Sequence, residues 1–243
     1  MKLFNLDSPV MRALSRMADL LILNFFALIC CIPIVTAGAS FTAMHYMCLK
    51  MARNEETYVV RGFFKSFKDN FKQATIIWLM CLVVFALLAG DFYLLMVIPN
   101  LHMVLRVIIF VTAIVVCCAA TFVFPVLAKF DNTVKQTIKN AFLISVIQFP
   151  KTVVMFIMNW LPWVLMFSVI QIAPLCIFFG LSAPAFASAY LYNGFFKKME
   201  DQIMEVNAPA SDAPEEQESS GEEDERIFHD ELDSSILNNN NIN

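Results

Sequence analysis

The sequence predicts an all-α, polytopic transmembrane helix bundle of about five spans, with amphipathic interfacial helices and a disordered acidic C-terminal tail. Three observations support this fold class. Apolar residues make up 59% of the 243 residues and the mean hydropathy is +0.66, more than a soluble domain carries. Long uncharged runs alternate with short segments rich in Lys and Arg. Finally, 16 of the 17 Lys and Arg residues lie before residue 200, whereas 14 of the 21 Asp and Glu residues lie at or after it.

This division of charge predicts two parts of the chain. Residues 1–198 form a multi-span membrane domain, and residues 199–243 form a cytoplasmic tail. The tail is rich in Glu, Ser, Pro and Asn, a composition that is too polar to bury a hydrophobic core. We therefore expect the tail to be disordered.

The first apolar run, Leu20–Leu49, is too long for one crossing and too short for two ordinary ones. Its 30 residues would form a helix of about 45 Å, whereas the hydrocarbon is roughly 30 Å thick. A proline and a glycine among small residues predict a break from Pro33 to Gly38. Three interpretations remain open: a tilted or kinked single span, a broken segment that turns back, and a cleaved signal peptide.

Four later spans follow from the uncharged runs. Pro99 and Asn100 supply a turn between two of them. The uncharged stretch from Thr152 to Phe196 is about right for two crossings, and a reversal is expected at Gln171–Pro174. The predicted spans cover about 74–98, 103–128, 152–170 and 175–195.

Lys and Arg residues in short loops predict the orientation, because such loops stay in the cytoplasm. The segments before the second and fourth spans are basic, whereas the turn between the second and third spans has no cation until Arg106. Both basic loops and the tail are therefore predicted to be cytoplasmic in a multi-pass protein of the cell membrane. A single crossing by the first run would put the N-terminus outside, although Arg12 and Arg16 favour the inside. This conflict supports the interpretation in which the run turns back.

Three stretches are predicted to be amphipathic helices in the membrane interface. One begins at Pro9, one interleaves Phe63, Phe67 and Phe71 with cations, and one starts near Val134. Cations beside apolar groups at helical spacing suit either an anionic leaflet or a protein partner. Nucleic acid is not an expected partner, since these stretches are tethered between spans. The cations expected to contact lipid or a partner are Arg61, Lys65, Lys68, Lys72, Lys135 and Lys139.

Few polar residues interrupt the predicted spans. Asp91 is the only acidic residue within one, and Arg106 follows the next turn, so the two are expected to face each other near the outer end of a hairpin. They form either a structural ion pair or a polar patch on a substrate path. Lone polar residues on apolar helices usually bond to neighbouring helices; here they include Asn24, His45 and Asn159. The candidate functional polar sites are Asp91, Arg106, Asn24, Pro33 and Gly38.

The chain carries no recognisable motif for catalysis or metal binding. It has no GxGxxG, P-loop, HExxH or GxSxG sequence, and its seven cysteines form no CxxC or Cys/His cluster. The sequence thus predicts no enzyme activity, no cofactor and no metal. Trp160 and Trp163, on either side of Pro162, are typical of an interfacial aromatic belt and a kink.

Several segments resemble the YesL family of bacterial membrane proteins, a family whose domain has no known function. They are FNLDSP (4–9), ADL (18–20), CCIPIVTAGA (30–39), YVVR (58–61) and FFKSFKDNFKQA (63–74). The resemblance covers about residues 1–198 and is strongest before residue 95. It implies a small multi-span protein whose gene often neighbours genes for carbohydrate uptake and breakdown. No catalytic residues are established for the family, so none transfer.

The resemblance and the basic helices together lead to the main functional hypothesis. The protein is expected to be a non-enzymatic accessory or regulatory partner of a carbohydrate transporter or sensor subunit. The alternative is a small transporter or channel, in which the break at Pro33 to Gly38 and the Asp91/Arg106 pair line a polar path. The sequence leaves the oligomeric state open.

Overall fold

The computed structural model describes residues 9–55, 58–98 and 103–207, and these residues form helices and no strand. The predicted turn residues Pro99 and Asn100 and the tail from residue 208 onward lie outside the described residues. Two 3₁₀ turns, Ile34–Thr36 and Ile170–Ile172, interrupt the helical order. The α-helices are α1 (Pro9–Cys31), α2 (Ala37–Ala52), α3 (Val59–Val97), α4 (Met103–Lys129), α5 (Val134–Ile147), α6 (Phe149–Ser168), α7 (Ala173–Phe179) and α8 (Ser182–Asn207).

Four of the helices in the described part, α1, α3, α4 and α6, are long and apolar enough to cross a membrane. The α7–α8 pair passes the same test as a span that is bent by 54°, which brings the number to five at most. Large apolar side chains are exposed along these helices, as lipid contact requires; Leu87 is 67% exposed and Met96 is 84% exposed. The predicted all-α transmembrane bundle is thus confirmed.

The first apolar run is a helical hairpin, because α2 turns back along α1. The hydroxyl of Ser40 donates to the carbonyl of Ala27 over 2.9 Å, although 13 residues separate them in the chain. At the open end of the hairpin, Arg16 Nη2 donates to Asn54 Oδ1 over 3.3 Å. A tilted or kinked single span is therefore wrong, and of the predicted alternatives the segment that turns back is the one observed.

Helix α2 is the central helix of the bundle. Thirteen of its 16 residues are buried, and it packs against α1, α3, α4 and α8. Small residues at its beginning allow this: Ala39 and Ser40 are fully buried. An apolar helix that other helices surround on all sides is shielded from lipid, so α2 differs in environment from the four candidate spans of this part of the chain.

Helix α3 corrects the prediction of a separate interfacial helix at residues 59–72. The basic stretch and the second span form one helix of 39 residues, about 58 Å long at 1.5 Å per residue. Since the hydrocarbon layer is roughly 30 Å thick, α3 extends well beyond it. The apolar part of α3 begins near Ala74, and the basic half is therefore the part that extends out.

Helix α8 corrects the boundary predicted at residues 198 and 199. It continues to Asn207 and buries Met199, Glu200 and Ile203 against the bundle. Residues 199–207, which the sequence assigned to the tail, therefore belong to α8. The fifth predicted span, 175–195, is divided in the structure between α7 and α8, with the break at Gly180 and Leu181.

Helix α5, which corresponds to the amphipathic helix predicted to start near Val134, buries one face against the bundle. Thr137, Asn140, Ala141 and Ile144 are buried, whereas Phe142 is 44% exposed. The N-terminus of α5 has a capping box in which the Gln136 side chain accepts from the Thr133 amide over 2.7 Å. Phe142 and Val146 are exposed together with Lys135 and Lys139, an arrangement that suits contact with lipid on the outer side of α5.

Candidate functional site

A cavity of about 440 Å³ lies where α2, α3, α4 and α6 meet the break between α7 and α8. Its walls are mainly aromatic and aliphatic, and no Lys, Arg, Asp or Glu lines it. Phe41 and Phe124, whose ring centroids are 5.7 Å apart, form part of the wall between α2 and α4. The lining residues are Phe41, Met44, His45, Phe85, Cys117, Ala120, Thr121, Phe124, Phe156, Asn159, Trp160, Trp163, Gly180 and Leu181.

His45 supplies the most deeply buried polar group in the wall of this cavity. Its side chain belongs to a residue that is 7% exposed, and Nδ1 has no hydrogen-bond partner among the described residues. The His45 ring lies 6.5 Å from the ring of Tyr192, centroid to centroid. A buried polar atom without a partner costs free energy that a bound ligand can recover.

A second cavity of about 340 Å³ lies between α6 and the α7–α8 pair. Apolar side chains such as Leu161, Leu165 and Leu175 line it together with Cys176. It offers no polar side chain that would orient a ligand, so it suits apolar chains only.

A buried ion cluster joins the C-terminal ends of α2 and α4 to α8. Arg53 donates to both carboxylate oxygens of Glu200, over 2.6 and 3.0 Å, and its Nε donates to Asn193 Oδ1 over 2.9 Å. Lys129 Nζ lies 3.7 Å from Glu200 Oε1. The side chains of Arg53, Lys129 and Glu200 are each 10% exposed. We call the end of the bundle that contains this cluster the basic end.

Asn24, a predicted functional polar site, bonds to the break between α7 and α8. Its Nδ2 donates to the carbonyl of Ile177 over 2.7 Å, and its Oδ1 accepts from the amides of Leu181 and Ser182 over 3.1 and 3.0 Å. One side chain thus satisfies backbone groups that the interruption leaves without helical partners. These three bonds give Asn24 a structural role.

Pro33 and Gly38, also predicted sites, lie at the turn between α1 and α2. The Thr36 hydroxyl bonds to the carbonyls of Cys30 and Pro33, and Trp78 Nε1 donates to the carbonyl of Ile34 over 2.7 Å. Protein side chains therefore receive the backbone that the break frees. A Cβ atom at Gly38 would lie 2.5 Å from Trp78 Cβ, so the glycine permits close packing of α2 on α3.

Asp91 lies near the end of α3, and Arg106 lies in the first turn of α4. Both are distant in the sequence from the turn between α1 and α2. Both residues are half-buried. The two helices meet there, since the rings of Phe92 and Phe110 are 5.4 Å apart, centroid to centroid. The pairing of Asp91 with Arg106 stays a prediction.

The predicted basic residues are exposed on α3 and α5: Arg61, Lys65, Lys68, Lys72, Lys135 and Lys139. We call these six cations the basic face. Phe64 and Phe71, 44% and 39% exposed, lie among the α3 members. The side-chain amide of Gln73 donates to the carbonyl of Asn132, which brings the beginning of α5 next to the middle of α3.

Sequence reasoning missed the ion cluster. Glu200 was assigned to the tail because the local composition turns acidic there. A signal was present nonetheless, since Phe195, Met199 and Ile203 continue the apolar helical spacing past Lys198. Arg53 and Lys129 carry no comparable signal, because a cation at the end of a span is common.

Comparison with known proteins adds one match. Residues 20–92, under a third of the chain, match a family model described as a protein of unknown function, DUF624. The matching segment contains about half of α1, all of α2 and most of α3. No curated protein and no solved structure matches the chain. The match and the apolar helices together fit a multi-pass integral membrane protein of unknown activity.

Proposed function

We propose that the protein is an accessory or regulatory partner of a membrane transporter or sensor, and that it docks through the basic face. The observation that carries the proposal is the basic half of α3, which extends beyond the apolar part of the same helix and alternates exposed cations with Phe64 and Phe71. Aromatic and cationic side chains together suit a protein surface that lies close to the membrane. The resemblance to the YesL family favours a carbohydrate uptake or sensing system as the partner, and an enzyme activity is not part of the proposal.

The basic end faces the cytoplasm in this proposal. Four cations of the basic face lie on α3, in the half of that helix that follows the open end of the α1–α2 hairpin, where Arg16 bonds to Asn54. A hairpin that returns to its starting side removes the conflict between the basic N-terminal segment and the basic loop before α3. The rule that Lys and Arg stay in the cytoplasm then applies to both.

Photo-crosslinking in native membranes tests the docking surface. A photo-reactive amino acid replaces Phe71, and crosslinked products are identified by mass spectrometry. We expect a transporter or sensor subunit at a fixed ratio, and we expect Lys65→Gln, Lys68→Gln and Lys72→Gln together to abolish the product. Lys197→Gln with Lys198→Gln is the matched control, because these cations are exposed on α8. Crosslinks to lipid alone would overturn the docking role and leave the basic face as a lipid anchor.

Truncation tests whether the tail contributes to docking, and the structure decides where the chain is cut. A chain that stops after Lys198 would lose Glu200 and break the ion cluster, so any effect would be ambiguous. A chain that stops after Asn207 keeps all of α8. Loss of the crosslinked partner in the chain that stops after Asn207 would assign a docking contact to the tail.

A small transporter or channel is the second candidate function. Four buried polar atoms on α2 and α8, which pack together, have no hydrogen-bond partner among the described residues: His45 Nδ1, Ser182 Oγ, Ser188 Oγ and Tyr192 Oη. Polar atoms of this kind are typical of a path for a polar solute. Substrate-dependent flux into proteoliposomes that Asp91→Asn or Ser188→Leu abolishes would support transport. Absence of flux with the partner still captured would reject it.

A further inference from the structure

We propose that the cavity beside His45 binds a neutral amphiphile, a molecule with an apolar body and one uncharged hydrogen-bonding group. This binding site does not depend on the docking role of the basic face. The cavity lies between α2, α3, α4 and α6, and none of the six cations of the basic face lines it.

The lining selects an apolar body. Six of the fourteen lining residues are Phe or Trp from α2, α3, α4 and α6, among them Phe41, Phe85, Phe124 and Phe156. Removing an apolar chain or ring from water into such a volume is favourable, and aromatic faces add specific contacts that lipid tails do not offer.

The same lining selects against charge. No Lys, Arg, Asp or Glu lines the cavity, so an ionised group inside it would lose its hydration without a counter-charge. A carboxylate or phosphate is thereby disfavoured, whereas a hydroxyl or amide is acceptable if it finds a hydrogen bond.

His45 supplies that hydrogen bond. Nδ1 is buried and has no partner among the described residues, and the ring lies in the wall of the cavity. A hydroxyl suits this nitrogen in either tautomer, because it both donates and accepts. Asn159 on α6 offers a second polar group in the same wall.

The cavity is accessible from the lipid side of α6. Trp160 and Trp163 line it and are 56% and 39% exposed. Because α6 is a candidate span, these exposed surfaces are available to lipid. An amphiphile dissolved in the bilayer can therefore reach the cavity without crossing water.

Native mass spectrometry of the detergent-solubilised full chain tests the proposal, with 1-oleoylglycerol as the neutral probe and oleate as the charged probe of equal chain length. We expect one 1-oleoylglycerol per chain with saturable binding, and at least roughly tenfold weaker binding of oleate at pH 9. A parallel titration with dioleoylglycerol distinguishes a single-chain ligand from a two-chain membrane lipid, and binding of either neutral probe satisfies the first expectation.

Two variants connect the binding to this cavity. His45→Phe keeps a ring of similar size but removes Nδ1, and we expect it to weaken binding about tenfold. Ala120→Leu keeps His45 and fills part of the volume, so it reports on the cavity even if His45→Phe folds poorly. Ser188→Ala is the matched control, since it removes another buried polar atom without a described partner that does not line the cavity.

Each outcome of these measurements either supports the site or overturns it. Saturable binding that His45→Phe and Ala120→Leu weaken, and that Ser188→Ala leaves unchanged, supports the site. No one-to-one complex with either neutral probe, equal affinity for oleate, or affinities in His45→Phe and Ala120→Leu that match the Ser188→Ala control would each overturn it.

Discussion

Glu200 shares its carboxylate between two cations at the basic end of the bundle. Arg53 binds both oxygens and Lys129 lies 3.7 Å from one of them, with all three side chains 10% exposed. One buried carboxylate thus interacts with both cations, and it holds the guanidinium of Arg53 through two hydrogen bonds. Charges at this depth are tolerated only when they are paired.

Replacing Glu200 with Gln is expected to lower the free energy of unfolding by about 3 kcal/mol, because the guanidinium of Arg53 would lose the buried carboxylate to which it donates two hydrogen bonds. Thermal unfolding in detergent measures the effect. Glu205→Gln is the control, since Glu205 is exposed on the same helix. If the Glu200→Gln protein unfolds at the same temperature as the control, the cluster does not stabilise the bundle.

Asn24 shows how far the sequence predicts the hydrogen bonds of a polar residue in an apolar run. Asn24 was expected to bond to a neighbouring helix, and it does. Nothing in the sequence indicates that its partners are backbone groups of Ile177, Leu181 and Ser182, more than 150 residues away. The amide needs partners because it is buried, but the identity of the partners depends on which helix break lies beside it.

The α1–α2 hairpin contributes α2, the central helix of the described bundle. Its turn combines Pro33, which ends α1, with the Thr36 and Trp78 side chains that bond to the freed carbonyls. Small residues after the turn let α2 approach α1 and α3 closely. The element therefore depends on close packing as much as on hydrogen bonds.

Gly38→Ala is expected to destabilise the protein by about 1–3 kcal/mol, since the new methyl group would overlap Trp78 and force α2 away from α3. The distances from a Cβ at position 38 to Trp78 Cβ and to the Ala74 carbonyl oxygen would be 2.5 and 2.6 Å. Gly90→Ala is the matched control in α3, because nothing lies within 4 Å of its Cβ position. Thermal unfolding that ranks the two variants equally would contradict close packing at Gly38.

A pair of cysteines tests the hairpin directly. In a chain whose native cysteines are replaced, Ala27→Cys and Ser40→Cys should form a disulfide readily, because the two residues are in hydrogen-bond contact. In one continuous helix they would be about 20 Å apart. Non-reducing electrophoresis after limited digestion measures the bond, and Ala27→Cys with Ala52→Cys is the control. No crosslink beyond that control would restore the single-span interpretation.

On the scale of the whole molecule, the length of α3 fixes how the bundle relates to the bilayer. A helix of 39 residues is nearly twice as long as the hydrocarbon is thick. Its apolar half pairs with α4 to form a hairpin with exposed apolar sides, and its basic half packs on α2. One helix thus connects a lipid-facing part of the molecule to a part that extends beyond the hydrocarbon.

Opposite ends of α3 are therefore expected to react from opposite sides of the membrane. In a chain without native cysteines, Lys68→Cys should react with a membrane-impermeant maleimide only in inside-out vesicles. Met96→Cys should react only in right-side-out vesicles, since Met96 is 84% exposed at the other end of the helix. Labelling of both positions from one side would contradict a crossing by α3, and the reverse pattern would invert the proposed orientation.

The sequence by itself determined the class of the protein, the apolar spans, the break between Pro33 and Gly38 and the basic surface. Each of these follows from local composition: a run of apolar residues must leave water, a proline followed by a glycine among small residues favours a break in a helix, and Lys and Arg avoid hydrocarbon. Local composition also misled, because it ended the membrane domain at Lys198 although the spacing of Met199 and Ile203 continues the buried face of α8.

Only the tertiary structure decided that the first run turns back, that α2 is the buried central helix, and that Arg53, Lys129 and Glu200 meet. The cavity beside His45 was likewise decided there, since its lining comes from helices far apart in the chain. The physical reason is the same in each case. These features depend on which helix faces which, and close packing between helices selects that arrangement from several that the hydrophobic pattern allows.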